Sequence, residues 1–482
     1  QPEISSGVAS PAGCNKLTIE DGASVTIPPD MALTVNGLIT NNEGVNGILI
    51  RSDATGTGSL IHATQSINGT IERYITGNEN LTAMTYHLVS IPLTPATTSL
   101  SGIFMDSYLY RFNEPSNDWE GLGNSTTTAL DETKGYMIYL PQVSTTYSFE
   151  GPMNAGTFSS TITNNLYGYN LIPNPYPSAI DWEAASGWTK TGINDAIYIW
   201  PSGGSNYAAY VDGEATNGGS QYIPAGQAFF VKAESGSPAI SMNNGIRVHN
   251  TRDFFKNSGK PDVLKIKAFA GGLTDEAIVR FSALASMQAE GERDAWKMTG
   301  LENAPQLYTL SSDHEQLSIN TLPYKQEAYT VPLAFSLNQT TEARLEFSNT
   351  DSFDPSVSIY LRDVKTGQTV NLKESNIYNF TYSVTDDSER FEVLFGGAIS
   401  VEDPKEISPS VWFSDNCMYI ALPGETGNHA TVELFNTAGQ LVFYKQIALS
   451  DLNILKLNLS GPVVARVTTS DKTLTAKTVL TR

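Results

Sequence analysis

Cysteine is almost absent from this 482-residue chain, in which Cys14 and Cys417 are the only two. Two cysteines cannot build a disulfide framework, and no CxxC or Cys/His cluster is present that would hold a structural zinc ion. A single long-range disulfide and two free buried thiols are both compatible with the sequence. The length is ample for several hydrophobic cores and suggests about three domains.

Positive charge is also scarce, because 29 lysine and arginine residues face 50 aspartate and glutamate residues, a net charge of -21. Such a field repels phosphate backbones, so we expect no nucleic-acid partner. No segment approaches the run of about 18 apolar residues that a membrane helix needs, so the chain is not expected to span a membrane. It begins at Gln1 without a charged leader or apolar segment, and we expect a mature or trimmed chain whose export signal has been removed.

Helix signals are nearly missing as well. Thr, Ser, Asn, Gly and aromatic residues dominate, in short alternating runs with a turn signal about every 8–12 residues, which is typical of all-β proteins. The sequence therefore predicts an all-β chain with one short helix near residues 283–288.

Residues 1–75 are predicted to form a short ladder that resembles a parallel β-helix. Very short apolar runs alternate with turn signals such as Asp-Gly, Pro-Pro and Asn-Gly. Strands this short and evenly spaced can bury their apolar side by stacking each coil on the next. An ordinary β-meander is the alternative. The apolar positions are Leu17, Ile19, Val25, Ile27, Leu33, Val35, Leu38 and Ile39.

Residues 76–250 contain an internal repeat. Each copy has a Tyr-x-Leu strand near a proline, then an aromatic strand with a turn back to Trp or Tyr, then a Gly-led apolar strand. Two copies of one unit predict that the halves pack together as a β-sandwich or jelly roll. The first copy is YHLVSIPL (86–93), YLYRFNEPSNDW (108–119) and KGYMIYL (134–140), and the second is YNLIPNPYP (169–177), IYIWPSGGSNYAAYV (197–211) and AGQAFFVKA (225–233).

The rest of the chain divides into three segments. Residues 251–397 carry further strands at sandwich spacing and are predicted to be a second β-sandwich. Residues 398–410 are polar, without periodicity, and are predicted to be a linker. Residues 411–482 are predicted to be a small β-domain, which is near neutral, with five acidic and six basic residues.

No catalytic or metal site is predicted. The five histidines show no metal-ligand spacing and no HExxH motif, and no Gly-x-Ser-x-Gly turn occurs between a strand and a helix. Neighbouring acids such as Glu20-Asp21 and Asp386-Asp387 are expected to be solvated turn residues, with a catalytic pair as one alternative. Calcium is the other alternative, because it prefers loop carboxylates and carbonyls, but no DxDxDG loop is present and no cofactor is expected.

Aromatic residues in the duplicated segment allow two interpretations. They can fill the core between the two halves, or they can form an exposed platform on which sugar rings stack. If a platform exists, Trp188, Tyr207 and Tyr210 are its candidates, because they lie close to Gly, Asn and Ser. The remaining tryptophans of the segment are Trp119, Trp182 and Trp200.

The C-terminal segment resembles the sorting domain of proteins exported by the type IX secretion system of Bacteroidota. The matching features are a strand ending in Asn-Thr-Ala-Gly at Gly439, a Leu-Asn-Leu-Ser-Gly turn at Gly461, and a final strand that contains Lys477. The upstream segments NLIPNPYPSAIDW, IPAGQAFFVKA and APQLYTLSSDHEQLSINTLP are similar to large surface proteins of the same bacteria. The resemblance implies transit through the periplasm, the type IX secretion machinery as a partner, and a place on the outer cell surface or outside the cell.

Together these features predict a non-catalytic, exported cell-surface protein with a structural or adhesive role. Open β-helix ends and sheet edges can pair with another strand, so self-assembly into an extracellular filament or layer is one expectation. The alternative is a glycan-binding surface module that uses exposed aromatics of the duplicated segment. The expected partners are therefore copies of the chain itself or a surface polysaccharide.

Overall fold

The computed structural model describes residues 11–77, 85–94, 103–104, 107–122, 130–140, 144–234, 236–249, 262–324, 328–396, 410–414, 417–421, 429–436, 439–449, 453–457, 459, 461–470 and 473–480. The chain is all-β, as predicted, with short 3-10 helices at Gly44–Asn46, Glu114–Ser116, Asn244–Ile246 and Thr350–Ser352. None of the described helices is long and apolar enough to cross a membrane. The chain forms two compact units, Gln1–Ile399 and Ser400–Arg482.

The first described segment forms a short parallel β-helix, which confirms this prediction. Its strands are β1 (Ala12–Cys14), β2 (Leu17–Ile19), β3 (Val25–Ile27), β4 (Ala32–Val35), β5 (Ile39–Asn41), β6 (Ile48–Ile50), β7 (Ser52–Asp53), β8 (Gly56–Thr57), β9 (Ser59–His62) and β10 (Ile67–Ile75). The strands pair in parallel, β4 between β1 and β9, and β6 between β3 and β10. A further parallel pair joins β2 to β5. The in-register side chains of Ile27, Ile50 and Ile71 are all buried, as stacked coils require.

The duplicated segment contains two sheets with a shared strand order, one from each copy, and two further sheets of three strands each. The strands are β11 (Tyr86–Val89), β12 (Tyr108–Asn113), β13 (Asp118–Gly121), β14 (Tyr136–Tyr139), β15 (Thr145–Met153), β16 (Phe158–Ser160), β17 (Tyr169–Pro173), β18 (Ala179–Asp181), β19 (Trp188–Thr191), β20 (Ile193–Ile199), β21 (Ala208–Val211), β22 (Glu214–Thr216), β23 (Tyr222–Ile223), β24 (Ala228–Ala233), β25 (Ala239–Met242) and β26 (Arg247–Val248). One sheet is ordered β11-β14-β12-β13 and the other β17-β24-β20-β21-β22. The predicted repeat therefore corresponds to a repeated sheet.

The two repeated sheets pack against each other through aromatic side chains. Phe112 of the first sheet meets Phe230 of the second edge-on, with 4.9 Å between ring centroids. Trp119 approaches the same ring at 5.9 Å. A sandwich of the two halves is thus formed, because each sheet is apolar on the face that it turns toward the other.

The predicted domain boundary after residue 75 does not separate two cores. β10 pairs antiparallel with β15 along its whole length, from Ile67 opposite Met153 to Ile75 opposite Thr145. Buried residues from Ile19 to Met153 accordingly form one hydrophobic cluster. The sequence pattern did not reveal this pairing because the partner strand lies far along the chain.

Residues 262–396 form one continuous sheet of eleven strands. They are β27 (Val263–Ala270), β28 (Leu273–Ser282), β29 (Ala295–Trp296), β30 (Gln306–Leu310), β31 (Gln316–Pro323), β32 (Tyr329–Ser336), β33 (Thr341–Ser348), β34 (Ser358–Asp363), β35 (Thr369–Asn371), β36 (Ile377–Tyr382) and β37 (Phe391–Gly396). Phe335 on β32 and Phe380 on β36 touch at 5.2 Å, although these strands are far apart in the sheet order. The sheet therefore curls over a single core where the sequence predicted a second sandwich.

The C-terminal unit is a small β-sandwich, in agreement with the predicted fold. Its strands are β38 (Ser410–Ser414), β39 (Cys417–Ala421), β40 (His429–Asn436), β41 (Leu441–Ala448), β42 (Asn453–Lys456), β43 (Gly461–Thr468) and β44 (Thr473–Leu480). They form two sheets, β38-β39-β42 and β41-β40-β43-β44, around a core that includes Met418, Val432 and Ala465. The predicted linker 398–410 lies outside the described residues except for Ser410.

The short helix predicted near residues 283–288 is wrong, because these residues form turns and bends. The Ser282 hydroxyl accepts a hydrogen bond from the backbone N–H of Leu284, and the Ser286 hydroxyl accepts one from that of Gln288. Such local serine bonds compete with the hydrogen bonds of a helix.

One end of the β-helix is capped by the segment around β26. The buried Arg247 guanidinium donates to the carbonyl oxygens of Leu60 and His62, both at 2.6 Å. His249 lies between the hydroxyls of Thr34 and Ser59, with its ring nitrogens 2.7 Å and 2.8 Å away. Burial and the neighbouring arginine lower the pKa of His62 to about 3 and that of His249 to about 4.

This cap predicts an acid-sensitive fold. Both histidines have a lower pKa in the folded chain than in the unfolded chain, so below about pH 6.5 only the unfolded chain gains their protons. We expect the free energy of unfolding to fall by on the order of a few kcal/mol between pH 6.5 and pH 4. Denaturant titrations across this pH range measure the change. His249→Gln should make the free energy of unfolding depend less on pH, whereas His314→Asn, at an exposed position, should leave that dependence unchanged.

Candidate functional site

The structure places the three predicted platform residues in or against hydrophobic cores. Tyr210 is only 5% exposed, and its hydroxyl contacts the Gln221 amide oxygen at 3.2 Å. Tyr207 is half-buried and meets Trp200 edge-on at 4.9 Å. The expected exposure of Tyr210 is therefore wrong, because all four residues of β21 are buried and both faces of this strand are covered.

Trp188 belongs to a different cluster from Tyr207. Its indole N–H donates to the carbonyl oxygen of Asp181 at 2.8 Å, and its ring lies 4.9 Å from that of Trp182. Tyr207 packs instead with the cluster that joins the two repeated sheets. The three residues do not form one surface, and core packing, the first of the two interpretations, describes them.

A row of tyrosines on the first repeated sheet forms an accessible aromatic surface. Tyr139 on β14 lies directly opposite Tyr86 on β11 and Tyr108 on β12. The ring of Tyr139 is 5.4 Å from that of Tyr86 and 5.7 Å from that of Tyr108, with which it stacks at 28°. Tyr108 is 50% exposed and the other two are half-buried. We call these three residues the tyrosine row.

Within the described part of the chain, the row is the accessible margin of the face that joins the two sheets. Side chains alternate along a strand, so Tyr108, Tyr110 and Phe112 of β12 share one face. Phe112, at the far end, packs against the second sheet, and Tyr110 lies between the two ends. Gly121 stands opposite Tyr110 and has no side chain to cover that ring.

In the second copy of the repeat, the residues equivalent to the tyrosine row contact another part of the chain. Tyr169 and Lys232 are paired at the positions equivalent to Tyr86 and Tyr139. The Lys232 ammonium lies 4.5 Å from the ring centroid of Trp296, which belongs to the eleven-stranded sheet. The backbone N–H of Trp296 also donates to the Tyr198 hydroxyl at 2.8 Å. The repeated sheet therefore presents a docking surface that is occupied in the second copy and accessible in the first.

The chemistry of the row suits a ligand with both apolar and hydroxyl-bearing surfaces. Tyrosine ring faces stack on apolar C–H surfaces, while the phenol groups exchange hydrogen bonds with hydroxyls. A tyrosine phenol is protonated at neutral pH, and burial, together with the nearby Tyr110 and Tyr139, raises the pKa of Tyr86 further. Arg111, the nearest cation on β12, forms two 2.8 Å hydrogen bonds to Glu120, which neutralises it.

The sequence contained a signal for the row that we did not use. Tyrosines occupy alternate positions of YLYRF and the ends of YHLV and YMIY, all in the first copy. The predicted platform consisted instead of one tryptophan and two tyrosines from the second half of the duplicated segment, Trp188, Tyr207 and Tyr210. That the three tyrosines are neighbours depends on the register of β11, β14 and β12, which a strand pattern alone does not specify.

Two residues of the predicted sorting motif, Gly461 and Lys477, lie in the four-stranded sheet of the C-terminal unit, and the third, Gly439, lies in one of its turns. Gly439 has φ +75° in the turn between β40 and β41, where its N–H donates to the Asn436 carbonyl oxygen at 3.0 Å. Gly461 begins β43 with φ +94°, and Lys477 on β44 pairs with Val464. Glycine is favoured at both turns because other residues rarely adopt such angles.

Within the described ranges, no group of three or more His, Cys, Asp or Glu residues is arranged to hold a metal ion. Cys14 forms no disulfide.

Comparison with known protein families gives a match over most of the chain. The model of a family described as a domain of unknown function (DUF8693) matches residues 1–395, which include the β-helix, both repeated sheets and nearly all of the eleven-stranded sheet. No curated protein matches the chain. Because the match covers most of the sequence, this chain belongs to the DUF8693 family of unknown function.

Proposed function

We propose that the chain is a non-catalytic adhesive protein of the outer cell surface that holds a polysaccharide on the tyrosine row. The observation that carries the proposal is the in-register stack of Tyr86, Tyr139 and Tyr108, accessible at the margin of the sandwich. Each ring offers a stacking position of about the size of one sugar unit. The row therefore fits a linear glycan that crosses the strands from β11 to β12.

A rigid scaffold supports this role. The rings stand on three hydrogen-bonded strands whose opposite face is buried, with Leu109 and Ile138 at most 2% exposed. A preorganised site loses little conformational entropy when it binds, so a few aromatic contacts suffice for measurable affinity. The sorting-domain resemblance of residues 411–482 supports export by the type IX secretion machinery as the route to the surface.

The charge of the chain favours an uncharged polysaccharide over an acidic one. Residues 400–482 carry eight acidic and seven basic residues, which leaves a net charge of -20 on residues 1–399. A field of that sign repels uronate and sulfate groups at low ionic strength. Neutral glucans and N-acetylated amino-sugar polymers are therefore the expected ligands.

The test is binding of the full chain to an array of neutral and acidic polysaccharides, followed by titration calorimetry on the best ligand. We expect Tyr139→Ser, at the centre of the row, to weaken binding at least about tenfold, which corresponds to about 1.4 kcal/mol. Tyr167→Ser removes a ring that is 57% exposed elsewhere on the same unit and should leave affinity unchanged.

Two results would count against the proposal. One is the absence of binding to every neutral polysaccharide on the array. The other is binding that Tyr139→Ser and Tyr108→Ser leave intact, since a ligand held elsewhere would not depend on these rings. Circular dichroism of each variant separates loss of binding from loss of fold.

A further inference from the structure

The C-terminal unit has an edge strand with exposed hydrophobic side chains. β41 stands at one margin of the sheet β41-β40-β43-β44, and β40 is its hydrogen-bonded neighbour among the described strands. Its eight residues include three large hydrophobic side chains that are strongly exposed. These are Leu441 at 51%, Val442 at 37% and Tyr444 at 57%.

Proteins usually protect such edges against pairing with other chains. Proline, charged residues (lysine in particular) and a very short length are common devices, and the edge strands β15 and β13 carry such residues. β15 contains Glu150 and Pro152, and β13 contains Asp118 and Glu120. β41 has no proline and no acidic residue, and Lys445 is its one charge. A strand of eight residues with exposed hydrophobic side chains and a single charge is a ready template for pairing with another strand.

The distribution of charge indicates which partner can approach this edge. Residues 1–399 carry a net charge of -20, so two such bodies repel each other. Residues 400–482 carry a net charge of -1 and oppose self-association little. Two molecules that meet through their C-terminal units therefore face little electrostatic repulsion at the contact itself.

We infer that β41 pairs antiparallel with β41 of a second molecule of the same chain, which joins two four-stranded sheets into one. A twofold axis at Tyr444 sets the two Tyr444 rings side by side and places Lys445 opposite Phe443 of the second molecule. A register centred on Lys445 would oppose two lysines, which destabilises a strand pair. A register shifted by one residue would place the side chains of the second strand on the opposite face of the joined sheet.

This arrangement yields a closed dimer and not a filament. A twofold contact uses the same surface on both molecules, so no copy of β41 is left to bind a third. The contact is small, because one strand of eight residues forms it, and we expect a dissociation constant on the order of 10–100 μM. Salt should tighten it by screening the repulsion between the two acidic bodies.

The test is sedimentation velocity of the full chain over a range of concentrations, at low and at high salt. We expect a monomer–dimer equilibrium that Tyr444→Lys shifts at least about tenfold toward monomer, because two lysines then meet at the axis. Tyr444→Phe should retain the dimer, since it keeps the ring pair. Tyr167→Lys is the matched control, because Tyr167 is equally exposed, at 57%, outside the C-terminal unit.

Three results would overturn the inference. The chain could be monomeric up to about 1 mM at high salt, which would mean that the edge does not pair. It could form assemblies larger than a dimer, as expected if β41 paired with β44 of the next molecule. Finally, Tyr444→Lys and Tyr167→Lys could shift the equilibrium equally, which would indicate a general effect of charge.

Discussion

Replacement of Lys297 by methionine is expected to lower the free energy of unfolding by about 3–5 kcal/mol. The Lys297 ammonium lies 2.5 Å from the Asp275 carboxylate, and their side chains are 2% and 0% exposed. Asp275 also accepts hydrogen bonds from the backbone N–H of Leu307 and from the Asn217 amide. Removal of the cation leaves a buried carboxylate whose charge nothing compensates, and that is costly.

The matched control is Lys267→Met, which makes the same chemical change at an exposed ion pair. Lys267 contacts Glu276 at 2.8 Å, with side chains 41% and 28% exposed. Such pairs contribute less than about 1 kcal/mol, so this variant should unfold near the wild-type midpoint. Equal effects of the two substitutions in urea titrations would show that the burial of Lys297 has no energetic consequence.

Phe230→Ala is expected to be similarly destabilising, by about 3–5 kcal/mol. Phe230 is fully buried and lies within 6 Å, ring to ring, of Phe112, Trp119 and Tyr207. Its removal opens a cavity between the two repeated sheets, which the surrounding rings can fill only in part. Because Phe112 lies on the same strand as Tyr108, we also expect weaker polysaccharide binding by this variant.

Leu284→Ala provides the comparison for Phe230→Ala. Leu284 is 74% exposed, so its truncation should change stability by no more than about 0.5 kcal/mol. Thermal and urea unfolding measure both variants. A loss below about 1 kcal/mol for Phe230→Ala would mean that the sheets do not depend on this aromatic cluster.

Features with a regular pattern could be predicted from the sequence. The evenly spaced apolar runs around Ile19 and Ile27 specified stacked coils, and the two Tyr-x-Leu segments at residues 86–88 and 169–171 identified the repeat. In both cases the spacing of similar residues along the sequence equals the spacing of the structural repeat, which does not depend on contacts between distant segments.

Features that depend on distant pairs could not be predicted. Burial alone would raise the pKa of the Glu114 carboxylate, but hydrogen bonds from the backbone N–H groups of Asn165, Leu166 and Gly168 outweigh it and lower that pKa to about 2. Nothing in the local sequence around Glu114 distinguishes it from an ordinary acidic turn residue. Tyr139 is a similar case, because it became a candidate only when the strand register placed it between Tyr86 and Tyr108.

The most direct test of the tyrosine row is covalent labelling of exposed tyrosines, with and without the bound polysaccharide. Nitration followed by mass spectrometry reports the accessibility of each ring, and Tyr108, Tyr167 and Tyr444 are exposed enough to react, at 50%, 57% and 57%. We predict that the polysaccharide protects Tyr108 and Tyr139 while Tyr167 and Tyr444 are labelled as before. Unchanged labelling of Tyr108, or protection only at Tyr167 or Tyr444, would contradict the proposed site.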